Sequence, residues 1–107
     1  MITPIYTFPP TGGVSEPSNA SGSAIDFSAP KVYGSVVTPE TGNLTADLSG
    51  AKPGVVQKMY HQNGTEPTYP AEWVQLGSGF YDTTDLNVIY FEYIDATRVE
   101  YWISQEY

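Results

Sequence analysis

The sequence predicts an all-β fold, a small antiparallel β-sandwich of jelly-roll-like type preceded by an extended N-terminal arm. Three observations predict it. No window places apolar residues at i, i+3, i+4 and i+7, so helix is not expected. From Lys31 onward, short runs of β-branched and aromatic residues alternate with Gly- and Pro-containing breaks, at roughly the 8–12-residue spacing of sandwiches and barrels. The last two runs, Leu86–Ile94 and Thr97–Ser104, flank a short Asp95-Ala96 turn and read as a long hairpin.

Residues 1–30 stand apart from the domain expected over residues 31–107. Pro, Gly, Ser, Thr, Asn and Ala dominate them, as in Pro9-Pro10-Thr11-Gly12-Gly13. Such a composition carries too little apolar surface to offset the entropy of ordering it. Its apolar residues, Ile2, Ile5, Tyr6, Phe8, Ile25 and Phe27, are spaced like anchors on an extended strand. The segment is therefore expected to dock on a partner subunit or a larger assembly. The alternative is an arm folded back along its own domain.

Within the domain, Val32–Val37 is the first expected strand, ended by Thr38-Pro39-Glu40-Thr41-Gly42. Asn43–Leu48 alternates, with Leu44, Ala46 and Leu48 inward. Val55–His61 is the third strand, and Asn63-Gly64 after it is a hairpin signal. Pro67 and Pro70 make the next stretch an edge or a loop. Trp73–Leu76 is a short strand, and Asp82-Thr83-Thr84-Asp85 is a hydrogen-bonded turn.

Closing the hairpin at Asp95-Ala96 pairs Tyr93 with Arg98, Phe91 with Glu100 and Ile89 with Trp102. One face then carries Val88, Tyr90, Val99, Tyr101 and Ile103, an ordinary core face. The other carries Ile89, Phe91, Tyr93, Arg98, Glu100 and Trp102. That second face is too apolar for open water, so these six residues form the candidate subunit interface or ligand face.

Composition narrows the function. The chain has 107 residues with a formal net charge of −8, from four Lys and Arg against twelve acids. Phosphate would be repelled, so nucleic acid is not an expected partner. Cysteine is absent, which removes disulfides and thiolate metal sites. No apolar run is long enough to span a bilayer, and Met1-Ile2-Thr3-Pro4, without a signal-peptide pattern, reads as a complete start. The single histidine, His61, ends a strand beside an Asn-Gly turn and reads as a packing or hydrogen-bonding residue. The acids Glu66, Glu72, Asp82, Asp85, Glu92 and Glu100 show no spacing that singles out a catalytic pair. No catalytic residue, metal site or cofactor is expected. Aromatics make up 14% of the chain, and Tyr60, Tyr69, Trp73, Tyr81, Tyr93 and Trp102 suit sugar stacking, a protein interface or the core of a small sandwich, with the set expected to divide between core and interface.

The run Gly54–His61, with Pro67 and Pro70 after the Asn-Gly turn, resembles small β-domains of tailed-bacteriophage structural proteins. Leu86–Tyr93 followed by Arg98–Ser104 does so too. The resemblance covers residues 32–105 and brings no defining binding motif. It implies a virion component, homotrimeric, of head-fibre, decoration or tail-fibre type. Its N-terminal arm would attach to a capsid or tail protein, and its C-terminal β knob would self-associate. The expectation from another class is a carbohydrate-binding module for host surface glycans.

Overall fold

The computed structural model describes residues 17–105, and within them every regular element is a strand. Of the six expected arm anchors, Ile2, Ile5, Tyr6 and Phe8 lie outside the described residues. The strands are β1 (Ser18–Ala20), β2 (Ala24–Asp26), β3 (Lys31–Tyr33), β4 (Thr45–Asp47), β5 (Val56–His61), β6 (Trp73–Gln75), β7 (Asn87–Asp95) and β8 (Arg98–Gln105). Six form one sheet in the order β1-β3-β5-β7-β8-β6, and β2 and β4 form a separate two-stranded ribbon.

The fold is all-β as expected, but the main sheet is mixed rather than antiparallel. Only β5–β7 and β7–β8 are antiparallel; β1–β3, β3–β5, β6–β8 and the β2–β4 ribbon are parallel. The Asn63-Gly64 hairpin does not form. The Asn63 side chain instead donates to Thr41 O at 2.7 Å and accepts from Gly64 N, and β5 pairs with β7.

The ribbon covers one face of the sheet and closes the core there. Ile25, at the centre of β2, and Phe27 just after it are both 0% exposed. With Tyr33, Met59, Ile89 and Phe91 they belong to a single apolar cluster. Phe27 meets Trp73 edge-on at 6.2 Å and Tyr93 at 6.0 Å between ring centroids. The expectation that Ile25 and Phe27 anchor an arm to a partner is thus corrected: they fill their own core. Polar neighbours that looked unable to fold are held by backbone bonds. Thr45 N donates to Ser23 O, Lys52 N to Phe27 O and Gly34 N to Ala20 O, and Asp26 N donates to the Tyr33 hydroxyl at 2.8 Å. Residues 17–30 are part of the folded unit.

The first expected strand stops early, at Tyr33, because Gly34 turns the chain with φ of 68°. A Cβ at Gly34 would lie 3.0 Å from Glu40 N and 3.1 Å from both Thr38 O and Tyr60 O. The left-handed backbone costs an L-residue about 1–2 kcal/mol before that crowding is added. Gly34→Ala should therefore lower the melting temperature by roughly 5–15 °C in calorimetry. A melting temperature within about 2 °C of the parent would refute this account of the turn.

Candidate interaction face

The hairpin that organises the sheet forms, but its register differs from the expected one by a residue. Ile89 pairs with Ile103, Tyr90 with Trp102, Phe91 with Tyr101, Glu92 with Glu100 and Tyr93 with Val99. The turn is Ala96-Thr97, flanked by the pair Asp95 and Arg98, and a bulge falls between Tyr93 and Asp95. Asp95 fixes the turn: its Oδ1 accepts both the Thr97 amide and the Thr97 hydroxyl at 2.8 Å. Those two bonds, the hydroxyl's first, hold the Asp95 carboxyl below the usual carboxylate range. Moving the turn one place alone keeps every side chain on its expected face. The extra residue in the bulge is what exchanges partners between faces.

The expected interface is accordingly divided. Ile89 and Phe91 are 0% exposed, and Tyr93 packs against the cluster they belong to. These three join Val99, Tyr101 and Ile103 on the inner face, so their assignment to an interface is corrected. Arg98, Glu100 and Trp102 stay on the outer face, where Val88, Tyr90 and Glu92 replace the three lost. Tyr93 and Arg98, an expected pair, lie on opposite faces.

Register and alternation lay the outer face out in rows across the sheet. Val32, Lys58, Tyr90 and Trp102 form the middle row. Tyr60, Val88 and Ser104 lie on one side of it, and Val56, Glu92, Glu100 and Val74 on the other. Tyr60, Tyr90 and Trp102 are each partly exposed, Val56 and Val74 are exposed, and Val88 is buried. The rings are ordered: Tyr90 and Trp102 stack at 5.6 Å with 14° between planes, and Lys58 Nζ sits 4.9 Å above the Tyr60 ring centre. Arg98 Nε donates to Glu100 Oε2 at 2.7 Å. Glu92 and Glu100 face each other across the strands, an opposition that is unfavourable in a sheet unless countered.

Sequence reasoning named Tyr60 as an aromatic candidate without placing it on this face, and missed Lys58, Val88 and Tyr90 as members of it. The signal for the turn was present, since Asp is favoured where a turn begins and Thr two residues on can bond it. No residue type announces the bulge.

The remaining aromatic candidates are structural. Tyr69 stacks on Tyr101 at 4.3 Å, and Trp73 meets Phe91 at 5.2 Å. Burial foremost, then the charge of Glu66, pushes the Tyr69 hydroxyl far above the ordinary tyrosine range. Among the described residues no group of three His, Asp or Glu side chains gathers to hold a metal ion, and no helix is long and apolar enough to cross a membrane. No family model, curated protein or solved structure matches the chain.

Proposed function

We propose that this protein is a non-enzymatic structural component of a larger assembly, of virion-appendage type. In this reading a jelly-roll-like β knob self-associates through the outer face of its six-stranded sheet, and the N-terminal arm, now limited to residues 1–16, attaches it to a capsid or tail protein. One observation carries the reading: among the described residues the sheet has its second layer on one side only, while the other side presents Tyr60, Tyr90, Trp102, Val56 and Val74. An aromatic-rich sheet face, with Glu92 and Glu100 in one flanking row and Lys58 held over the Tyr60 ring, has the composition of a protein interface. Aromatic anchors of this kind carry most of the binding energy where they occur.

Glycan recognition is the second reading, favoured by the same half-exposed rings. Sugar stacking requires open ring faces turned to solvent. Here Tyr90 and Trp102 turn one face each to the other, and Lys58 lies over one face of Tyr60. That geometry favours packing against protein.

Trp102→Glu tests the choice, because the side chain lies outside the inner core. The parent should weigh as an oligomer in light scattering. The variant should keep its melting temperature within a few degrees and dissociate, with association weakened at least about 30-fold, the equivalent of a 2 kcal/mol hot spot. An oligomer of unchanged mass in the variant would count against self-association through this face. Glycan-array binding lost in the variant, with mass unchanged, would favour the second reading.

A further inference from the structure

His61 ends β5 at the edge of the core with its ring wholly buried, and both ring nitrogens are engaged by different connecting segments. Nε2 lies 2.9 Å from the carbonyl of Gly42, in the segment between β3 and β4. Nδ1 lies 2.7 Å from the hydroxyl of Tyr81, in the segment between β6 and β7. A carbonyl only accepts, so Nε2 must carry the proton and Nδ1 must accept from Tyr81. The uncharged Nε2–H ring is the one form that satisfies both partners as they stand. The Tyr81 ring packs edge-on against the imidazole at 5.6 Å.

We propose that His61 is an acid-released latch, whose neutral imidazole joins the Gly42 and Tyr81 segments at one end of the sheet and whose protonation lets them part while the β7–β8 hairpin stays paired. A second ring proton would face the Tyr81 hydroxyl, which would have to turn from donor to acceptor. It would also place a positive charge where water does not reach. Burial, the largest influence, holds the His61 imidazole below its ordinary value; the Gly42 contact and the charge of Glu40, whose backbone pairs with that of His61, oppose it in part. Burial chiefly raises the Tyr81 hydroxyl above its ordinary value, and the charge of Glu66, in the segment between β5 and β6, adds a lesser part. Beyond Asn87, the Asp82 carboxylate is occupied by Thr84 and that of Asp85 by Leu86 N. None of these acids touches the ring.

The direction of the effect follows by linkage. The opened segment binds the proton with the ordinary histidine value of about 6.5, and the closed one only at lower pH. Closure is complete above about 6.5 and weakens as pH falls from there toward the closed-state value, below which the loss levels off. The latch lies at the end of the sheet opposite Ser18, since β1 and β3 run parallel to β5. Acid would therefore loosen the end of the domain remote from the point where residues 1–16 join it.

The chain has one histidine, so nitrogen-resolved NMR of the intact protein reads it without ambiguity. Expected at pH 7 is a single neutral Nε2–H ring. As pH falls below about 6.5, amide exchange at residues 41–44 and 80–84, corrected for its intrinsic pH dependence, should quicken up to tenfold per unit, with the imidazole titrating at the pH where this levels off. Hairpin amides of residues 88–103 should change less than about twofold. His61→Gln should abolish the selective quickening. An Nδ1–H ring, equal quickening of segments and hairpin, or selective quickening retained by His61→Gln would each overturn the latch. If that variant does not fold, the tautomer and the two exchange profiles of the parent decide alone.

Discussion

Deleting residues 1–28 should abolish cooperative folding, whereas deleting residues 1–16 should leave it intact. The polar composition of residues 17–30 hides how much they contribute. Removing a buried Phe costs about 3–5 kcal/mol and a buried Ile about 2–5 kcal/mol. Phe27 and Ile25 together thus account for roughly 5–10 kcal/mol, set against a typical total stability of about 5–15 kcal/mol. The deletion also strips β1 from the sheet edge and removes β2 from the ribbon. It takes away the Asp26 amide that donates to the buried Tyr33 hydroxyl. Gln57 donates to Ala29 O at 2.9 Å, and that bond too depends on the segment being held in place. Circular dichroism and a urea melt should show no cooperative transition for residues 29–107. A shorter deletion, to residue 16, spares every member of the core cluster among the described residues. It should melt cooperatively near the parent while losing incorporation into the assembly if the arm attaches it. A folded 29–107 fragment would overturn the structural role given to residues 17–30.

The chain announced its strand runs more clearly than their partners. β5, β7 and β8 are long, rich in β-branched and aromatic residues, and lie within a residue or two of where the pattern put them. β1 and β2 were not legible. Ser18-Asn19-Ala20 has no strand propensity, and it is ordered by Lys31–Tyr33 running parallel beside it. Ile25 looked like an isolated bead because its partner, Ala46, lies in another strand of a ribbon only three residues long. Parallel pairs of that length leave no turn signal, since their ends are joined by crossovers. Asn63-Gly64 gave a turn signal without a hairpin, because its side-chain bonds serve a neighbouring loop. In the candidate face, Trp102, Glu100 and Arg98 were legible and Tyr90 was not, and the single bulge beside Ile94 accounts for both. Period-two patterns make face assignment all-or-none, so one inserted residue moves an entire strand.

Asn87→Asp should cost at least about 3 kcal/mol at neutral pH, through one side chain at the head of the hairpin. Asn87 is wholly buried, and both ends of its amide are used. Oδ1 accepts from Asp82 N at 2.8 Å and from Gln105 Nε2 at 2.9 Å. Nδ2 points at three carbonyls, those of Asp82 at 2.9 Å, Asp85 at 3.0 Å and His61 at 3.4 Å. The side chain thereby ties the segment before β7 to the ends of β5 and β8. A carboxylate keeps the accepting end but sets a negative oxygen against the carbonyls. Burial and that repulsion raise the folded-state value of the new carboxyl above the ordinary 3.9 or so. The resulting penalty is full above the raised value, shrinks as pH falls toward about 4, and vanishes below it. Asn87→Leu removes both ends together and should cost about 2–4 kcal/mol with no such pH dependence. Urea melts of the two variants and the parent at pH 7 and pH 4.5 separate the cases. The aspartate variant should regain part of its deficit at the lower pH and the leucine variant none. Deficits below about 1 kcal/mol, or equal recovery in both, would mean that the Asn87 amide does not hold the loop against the sheet.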